Sequence, residues 1–205
     1  MNTVPAEKRS LRQQMRRQRR SLSRAQQRAA AIGVRNRIRH QLWFLKARHI
    51  ALYLPNDGEI DPGPLLKLCW KMGKKVYLPV LHPIRHNRLW FVSYTPKTRM
   101  SPNRFGIPEP SLQKHPRRPA WAMDLVMLPL VAFDADGNRM GMGGGFYDRT
   151  FGYKLKEKSM KGARLIGLAH EFQRVEELPV QPWDVPLFGI VTDKASYIRR
   201  PSLSC

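Results

Sequence analysis

The chain has 205 residues, 42% of them hydrophobic, which is enough to build a core and argues against disorder throughout. Lysine and arginine number 37 against 15 aspartates and glutamates, a formal charge of +22, and the first fifty residues hold fourteen of these cations with a single acid, Glu7. No apolar run approaches the ~20 residues of a membrane span, and the basic N-terminus lacks the apolar stretch of a secretory leader. Cys69 and Cys205 are too few for a disulfide framework. The expected address is a reducing cytoplasm, although an arginine-rich, acid-poor start also suits organelle targeting. Such a charge attracts polyanions, whether RNA, anionic lipid or a phosphate- or glutamate-bearing small molecule, and does not choose among them.

From Pro5 to about Arg20, Leu11 and Met15 stand four apart amid charge, which predicts an amphipathic helix. Ser21 or Ser23 can cap a second helix, in which Ala31, Val34, Ile38, Leu42 and Leu45 keep helical spacing. Residues 48–54, RHIALYL, predict a buried strand, and 64–72, PLLKLCWKM, a helix stopped by Gly73. KKVYLPVL follows as a second strand, so the order strand, helix, strand implies a crossover and a parallel sheet. RLWFVSY (88–94) alternates as an edge strand, and a polar, proline-rich stretch runs from Thr95 to Pro119. Residues 123–134, MDLVMLPLVAFD, are nearly all apolar, as in a central strand covered on both faces.

Then comes GNRMGMGGGFYDR (137–149), with five glycines in nine positions, and YDRTF opens a helix. RLIGLAHEFQ and FGIVTD predict two later strands, and residues 195–205 form a basic tail read as frayed. The expectation is one α/β domain over 1–205: an open, mostly parallel sheet flanked by helices, with residues 1–46 as a basic helical arm.

A glycine-rich turn between a buried strand and a helix gathers backbone N–H groups into an anion site. Neither standard template fits. A dinucleotide fingerprint from Gly141 meets Phe146 where its last glycine belongs, and GGGFYD lacks the Gly-Lys-Ser/Thr ending of a Walker loop. The residues alone therefore give an anion-binding strand-loop-helix of neither type, with a ligand-free flexible turn as the plainer alternative. His82 and His86 stand four apart, but Pro83 breaks the helix that would align them on a metal, so they read as loop residues. Cys69 reads as core.

The segment LPLVAFDADGNRMGMGGGFYDR closely resembles the signature of the 5-formyltetrahydrofolate cyclo-ligase family. KRSLR (8–12), YLPNDGEID (53–61), FGIPEP (105–110) and PWDVPLFGIVTD (182–193) resemble further elements of that family in the same order, so the likeness runs through nearly the whole chain. The resemblance implies a sheet related to sugar-phosphate isomerases and coenzyme A transferases. It also implies an ATP- and magnesium-dependent conversion of 5-formyltetrahydrofolate to 5,10-methenyltetrahydrofolate, with ADP and phosphate released. A monomer needing neither nucleic acid nor membrane is expected.

The implied roles fall on particular positions. Lys8 and Arg12, which charge alone reads as a solvated basic face, would meet ATP phosphates. Arg139, Gly141, Met142, Gly143, Gly144, Gly145, Phe146 and Tyr147 would form the phosphate cradle. Relatives often carry a basic residue where this chain has Met142 and Gly144, which leaves more to the backbone amides and Arg139. Arg139 and Asp148 would be catalytic, and Asp148 and Asp184 would hold magnesium as hard oxygen ligands. Glu59 would accept paired hydrogen bonds from the pterin, with Leu54, Phe105, Phe146 and Tyr147 walling the folate. The other arginines of the first helix read as surface or as a source of diffuse attraction. An RNA-binding module built on the arm is the alternative, but residues 1–42 contain no Phe, Tyr or Trp to stack a base. A sugar-phosphate isomerase of similar architecture is a third reading, which turnover strictly requiring ATP would exclude.

Overall fold

The computed structural model describes residues 3–84, 87–103, 106–111, 115–156 and 162–199. Helix α1 (Thr3–Ser21) buries Met15 and half-buries Leu11, the two residues of its predicted apolar face. Ser23 caps α2 (Arg24–Ile38): its hydroxyl accepts from Gln26 N, and the Gln26 side chain returns a bond to Ser23 N. The predicted continuation to Leu45 does not hold. The backbone breaks at residues 39–41 and restarts as α3 (Leu42–Lys46), which shifts the helical face. Trp43 and Phe44 are therefore buried, while Leu42 and Leu45 are exposed.

The first crossover forms as its sequence predicts, with β1 (His49–Ala51), α4 (Gly63–Lys71) and β2 (Lys75–Leu81). Gly73, at φ +67°, ends α4, and Lys74 N–H closes back onto the Cys69 carbonyl. Strand β3 (Leu89–Ser93) was expected at the sheet edge, but β6 (Arg117–Arg118) lies outside it. The proline-rich stretch between them also carries a small hairpin of β4 (Met100–Pro102) and β5 (Pro108–Pro110). The long apolar run divides. Leu125–Pro129 is β7, whereas Ala132–Phe133 is β8, which turns away to pair with β9 (Arg139–Met140). Buried Asp134 accepts from the N–H groups of Asp136 and Asn138 and so makes that turn.

After the glycine loop come α5 (Phe146–Phe151), α6 (Tyr153–Lys156), β10 (Arg164–Ala169), β11 (Gly189–Thr192) and β12 (Ser196–Ile198). Here too the expectation needs correction: the start of the tail is not frayed but pairs antiparallel with β11.

The main sheet runs β12-β11-β10-β7-β1-β2-β3-β6. The contacts linking β11, β10, β7, β1 and β2 are parallel, and antiparallel strands finish both sides. Along β7, Leu125 and Met127 join the core under α2 and α4, while Val126 and Leu128 join the core on the opposite face. The near-continuous hydrophobicity of that strand follows from cover on both sides. From β1 the chain moves outward to β2, then returns to build β7, β10 and β11 on the other side of β1. The strand order thus reverses between β1 and β7, and the loops leaving their carboxyl ends diverge and open a crevice.

Ser23→Ala removes one half of the capping box and is expected to lower unfolding free energy by about 1 kcal/mol in a denaturant titration, with no change in slope.

Candidate active site

A cleft of roughly 1300 Å³ opens at that crevice. Tyr53, Leu54, Asn56 and Glu59 enter it from the segment after β1, and Pro129 and Leu130 from the end of β7. Lys8 and Arg12 reach it from α1, and Arg139 with the entire 141–149 loop forms another wall. Asp184 and the exposed Trp183 stand at its margin. The structure therefore brings every predicted site residue to one cavity except Phe105, which lies outside the described residues, as do His86 and Cys205.

The glycines act in different ways. Gly143 (φ +98°) and Gly145 (φ +62°) take backbone conformations that side chains disfavour. At Gly144, a Cβ would lie 2.6 Å from the Phe146 ring. A Cβ at Gly141 would meet nothing within 4 Å, so no packing within the chain demands glycine there. The Gly144 carbonyl accepts from Asn87 Nδ2 (3.0 Å) and Arg149 Nη1 (2.7 Å), and the Gly141 carbonyl from Arg12 Nε (3.0 Å). With their carbonyls held, the N–H groups of residues 141–145 have no acceptor among the described residues. Such donors must find water or a ligand. The helix that follows spans only six residues, so its dipole adds little to the field at the loop beside the dipoles of the loop amides themselves.

Arg139 is less free than its predicted role suggests. It is nearly buried, donating to the Val185 carbonyl (2.6 Å) and pairing with Asp148 Oδ1 (2.7 Å), which also accepts from Val185 N (3.1 Å). Asp148 Oδ2 has no protein donor among the described residues. Asp184 uses one oxygen to accept from Gln181 N (2.9 Å). No group of three or more His, Cys, Asp or Glu side chains that could hold a metal occurs among the described residues. The donor set therefore fits a hard cation only with oxygens from a bound substrate completing the shell, the usual habit of magnesium. His82 lies against the Trp90 ring (4.4 Å between centroids), as a loop residue should. Burial pushes the Cys69 thiol up to about 12, in keeping with a core position.

The reading of α1's remaining arginines as surface holds for Arg9 and Arg17, which are exposed, but not for Arg19, and Arg16 and Arg20 are tied into the same network. Arg19 is fully buried; its Nη2 donates to Asp57 Oδ2 (2.9 Å) and its Nη1 to the Leu130 carbonyl (3.3 Å). Arg16 (2.6 Å) and Arg20 bind the same Asp57 carboxylate. Burial alone would raise the Asp57 carboxyl, but hydrogen bonds from Arg16, Arg20 and Arg19 outweigh it and hold it below its ordinary range. Beside it, Glu59 is pushed up to about 7, chiefly by burial, against the Asn56 N–H and the Arg19 charge. Burial and the Glu59 charge also raise the Tyr147 phenol, which stays neutral. A signal for Arg19 was present in the sequence: residues 8, 12, 15 and 19 follow helical spacing along one face. Asn87, which holds the glycine loop at the Gly144 carbonyl, carried no such signal, and Arg149, though inside the glycine-rich segment, was given no role there.

Comparison with known proteins agrees with this geometry. Residues 4–193 match the model of the 5-formyltetrahydrofolate cyclo-ligase family. The 5-formyltetrahydrofolate cyclo-ligase of Haemophilus influenzae is 43% identical over 93% of this chain and 99% of its own length. That of Escherichia coli K12 is 41% identical over 87% and 96%. The solved 5,10-methenyltetrahydrofolate synthetase of Aquifex aeolicus superposes with a TM-score of 0.79 at 31% identity, covering 97% of this chain and 95% of that one. The cleft at the strand reversal is thus found in a chain that belongs to the 5-formyltetrahydrofolate cyclo-ligase family.

Proposed function

We propose that this cleft carries out the ATP- and magnesium-dependent cyclisation of 5-formyltetrahydrofolate to 5,10-methenyltetrahydrofolate, releasing ADP and phosphate. The observation that carries this reading is the run of amides at residues 141–145, which have no acceptor among the described residues and share one cavity with Lys8, Arg12 and the half-buried Glu59.

A formamide carbonyl is a poor electrophile because nitrogen feeds its lone pair into it. Transfer of the γ-phosphoryl group from ATP to the formyl oxygen releases ADP and makes that oxygen a leaving group. The neighbouring nitrogen of the same folate attacks the carbon and loses its proton. Phosphate then departs with the former formyl oxygen, completing the bridge. The attack is intramolecular, so holding the folate in one pose supplies much of the rate.

The chain's part is to position and neutralise. Lys8, Arg12 and the loop amides receive the phosphates. Glu59 accepts from the pterin's amino and ring N–H groups, with Leu54, Phe146 and the neutral Tyr147 around it. Asp148 and Asp184 would hold magnesium, which would screen the charge of the transferring phosphoryl group. Arg139 orients Asp148 in this scheme and does not itself touch phosphate, which narrows the catalytic role first given to it. The RNA-binding alternative draws no support, because Arg12, Arg16, Arg19 and Arg20 are all engaged within the chain. Among the described residues no helix is long and apolar enough to cross a membrane.

Protein, ATP, magnesium and 5-formyltetrahydrofolate together should produce a chromophore absorbing at longer wavelength and one ADP per turnover; absence of both overturns the proposal. Asp148→Asn should lower kcat on the order of a hundredfold, with the KM for folate little changed. Gly141→Ala should leave the melting temperature in place while raising the KM for ATP about tenfold, since its methyl enters open cleft. Gly143→Ala should instead cost about 1 kcal/mol of stability, because its φ is +98°.

A further inference from the structure

Asp57 and Glu59 lie two residues apart, yet their ionic surroundings differ. Asp57 is paired with Arg16, Arg19 and Arg20, so it remains compensated if any one is lost. Glu59 has one cation within ion-pair distance among the described residues, Arg19 Nη1 at 3.8 Å. Arg19 has no exposed side-chain surface and is not part of the cleft wall, whereas Glu59 is. Its Nε has no partner among the described residues, so the guanidinium is held only at its far end, by the Leu130 carbonyl and the two carboxylates. Burying a charge in this way is costly unless it serves those carboxylates.

Resting on the reading of Glu59 as the partner of the pterin, we propose that Arg19 is the positioning residue for that contact. From beneath the loop it supplies the positive charge that lets Glu59 face the folate as a carboxylate, and it touches no substrate itself. The loop is braced around this pair. Gln27 Nε2 donates to the Arg19 carbonyl (3.1 Å) and the Gly58 carbonyl (3.2 Å), and His170 Nε2–H donates to the Gly58 carbonyl (3.1 Å). A Cβ at Gly58 would lie 2.8 Å from the Arg19 carbonyl oxygen, so helix and loop touch backbone to backbone.

The groups facing Glu59 have opposed effects. Burial lifts its carboxyl to about 7; the Asn56 N–H and Arg19 pull it down, and the Asp57 charge pushes it further up. Tyr53 and Tyr147 are both raised, chiefly by burial, and stay neutral. Burial lowers His170, which is therefore neutral at neutral pH. An acid limb in kcat/KM for folate is thus expected near neutrality, where Glu59 gains its proton and can no longer accept two hydrogen bonds. Removing Arg19 raises the Glu59 carboxyl, and removing the Asp57 charge lowers it. The two substitutions should move the limb in opposite directions, which loss of packing would not do.

The test compares four variants by ADP formation across pH. Glu59→Gln should abolish the limb and raise the KM for folate. Arg19→Met should shift the limb up by about one pH unit and lose about tenfold in kcat/KM near pH 7, through KM more than kcat, with recovery at alkaline pH. Arg19→Lys keeps the charge and should keep the limb. Asp57→Asn, whose side chain tolerates the positive φ of 52° at that position, should shift the limb down. If Arg19→Met and Asp57→Asn lose activity at all pH values without moving the limb, or move it the same way, the proposal is overturned. Should Arg19→Met not fold, an unmoved limb in Arg19→Lys with a lowered one in Asp57→Asn supports the proposal, and an unmoved or raised limb in Asp57→Asn overturns it. If Glu59→Gln leaves both limb and KM unchanged, the assignment of Glu59 to the folate is what fails.

Discussion

A guanidinium with no exposed surface has to be neutralised from within, and the placement of Arg19 against Asp57 and Glu59 sets the conditions for much of the site. Removing water from an arginine is expensive, and the expense is offset only if carboxylates and carbonyls meet it closely. The segment after β1 provides both carboxylates and the end of β7 provides the Leu130 carbonyl. The pairing therefore joins the two strand ends between which the sheet order reverses, and it fixes α1 across the crevice. Without α1 in that position, Lys8 and Arg12 would not line the cleft.

The glycine loop meets a different constraint. A phosphate site needs several N–H groups aimed at one point, and an ordinary turn uses those groups to close its own hydrogen bonds. Here side chains from elsewhere take the loop's carbonyls: Arg12 at Gly141, and Asn87 with Arg149 at Gly144. The amides are left over. Left-handed conformations at Gly143 and Gly145 keep the chain from turning helical before Phe146. This explains why neither familiar phosphate template matched. Those templates rely on a long helix or a lysine in the loop, whereas here the helix has six residues and the cations lining the cleft beside the loop include Lys8 and Arg12 of α1.

Local patterns in the sequence carried the parallel core of the fold, because burial on both faces leaves a continuous apolar signature and the cap of α2 uses adjacent residues. What escaped depended on distant partners. Leu42 and Leu45 fit the helical spacing, but a break at residues 39–41 turned Trp43 and Phe44 inward instead. Strands β6 and β12 are two and three residues long, and their pairing comes from the strand beside them, not from their own composition. The candidate site residues could be named because the segments resembling the family's elements contain them. The network behind them was only partly legible: helical spacing puts Arg19 in line with Lys8, Arg12 and Met15, but Arg16 and Arg20 look like the exposed Arg9 and Arg17 until Asp57, about forty positions later, is folded against them.

One helix serves both halves of the cleft, and this bears on the chemistry proposed for it. Lys8 and Arg12 face the glycine loop while Arg16 and Arg19 hold the loop that carries Glu59. Eleven residues separate Lys8 from Arg19, which in an α-helix is about 16 Å along the axis. Phosphoryl transfer to a formyl oxygen requires two separately bound molecules to meet within bonding reach, and small errors in either pose are costly. Two independent loops would each add their own fluctuation to that separation. A single helix, bolted to both loops by arginines on one face, makes the distance between the two subsites a property of one rigid element. The excess positive charge of the arm is then partly structural, since several of its arginines fix geometry and leave fewer free to attract ligands.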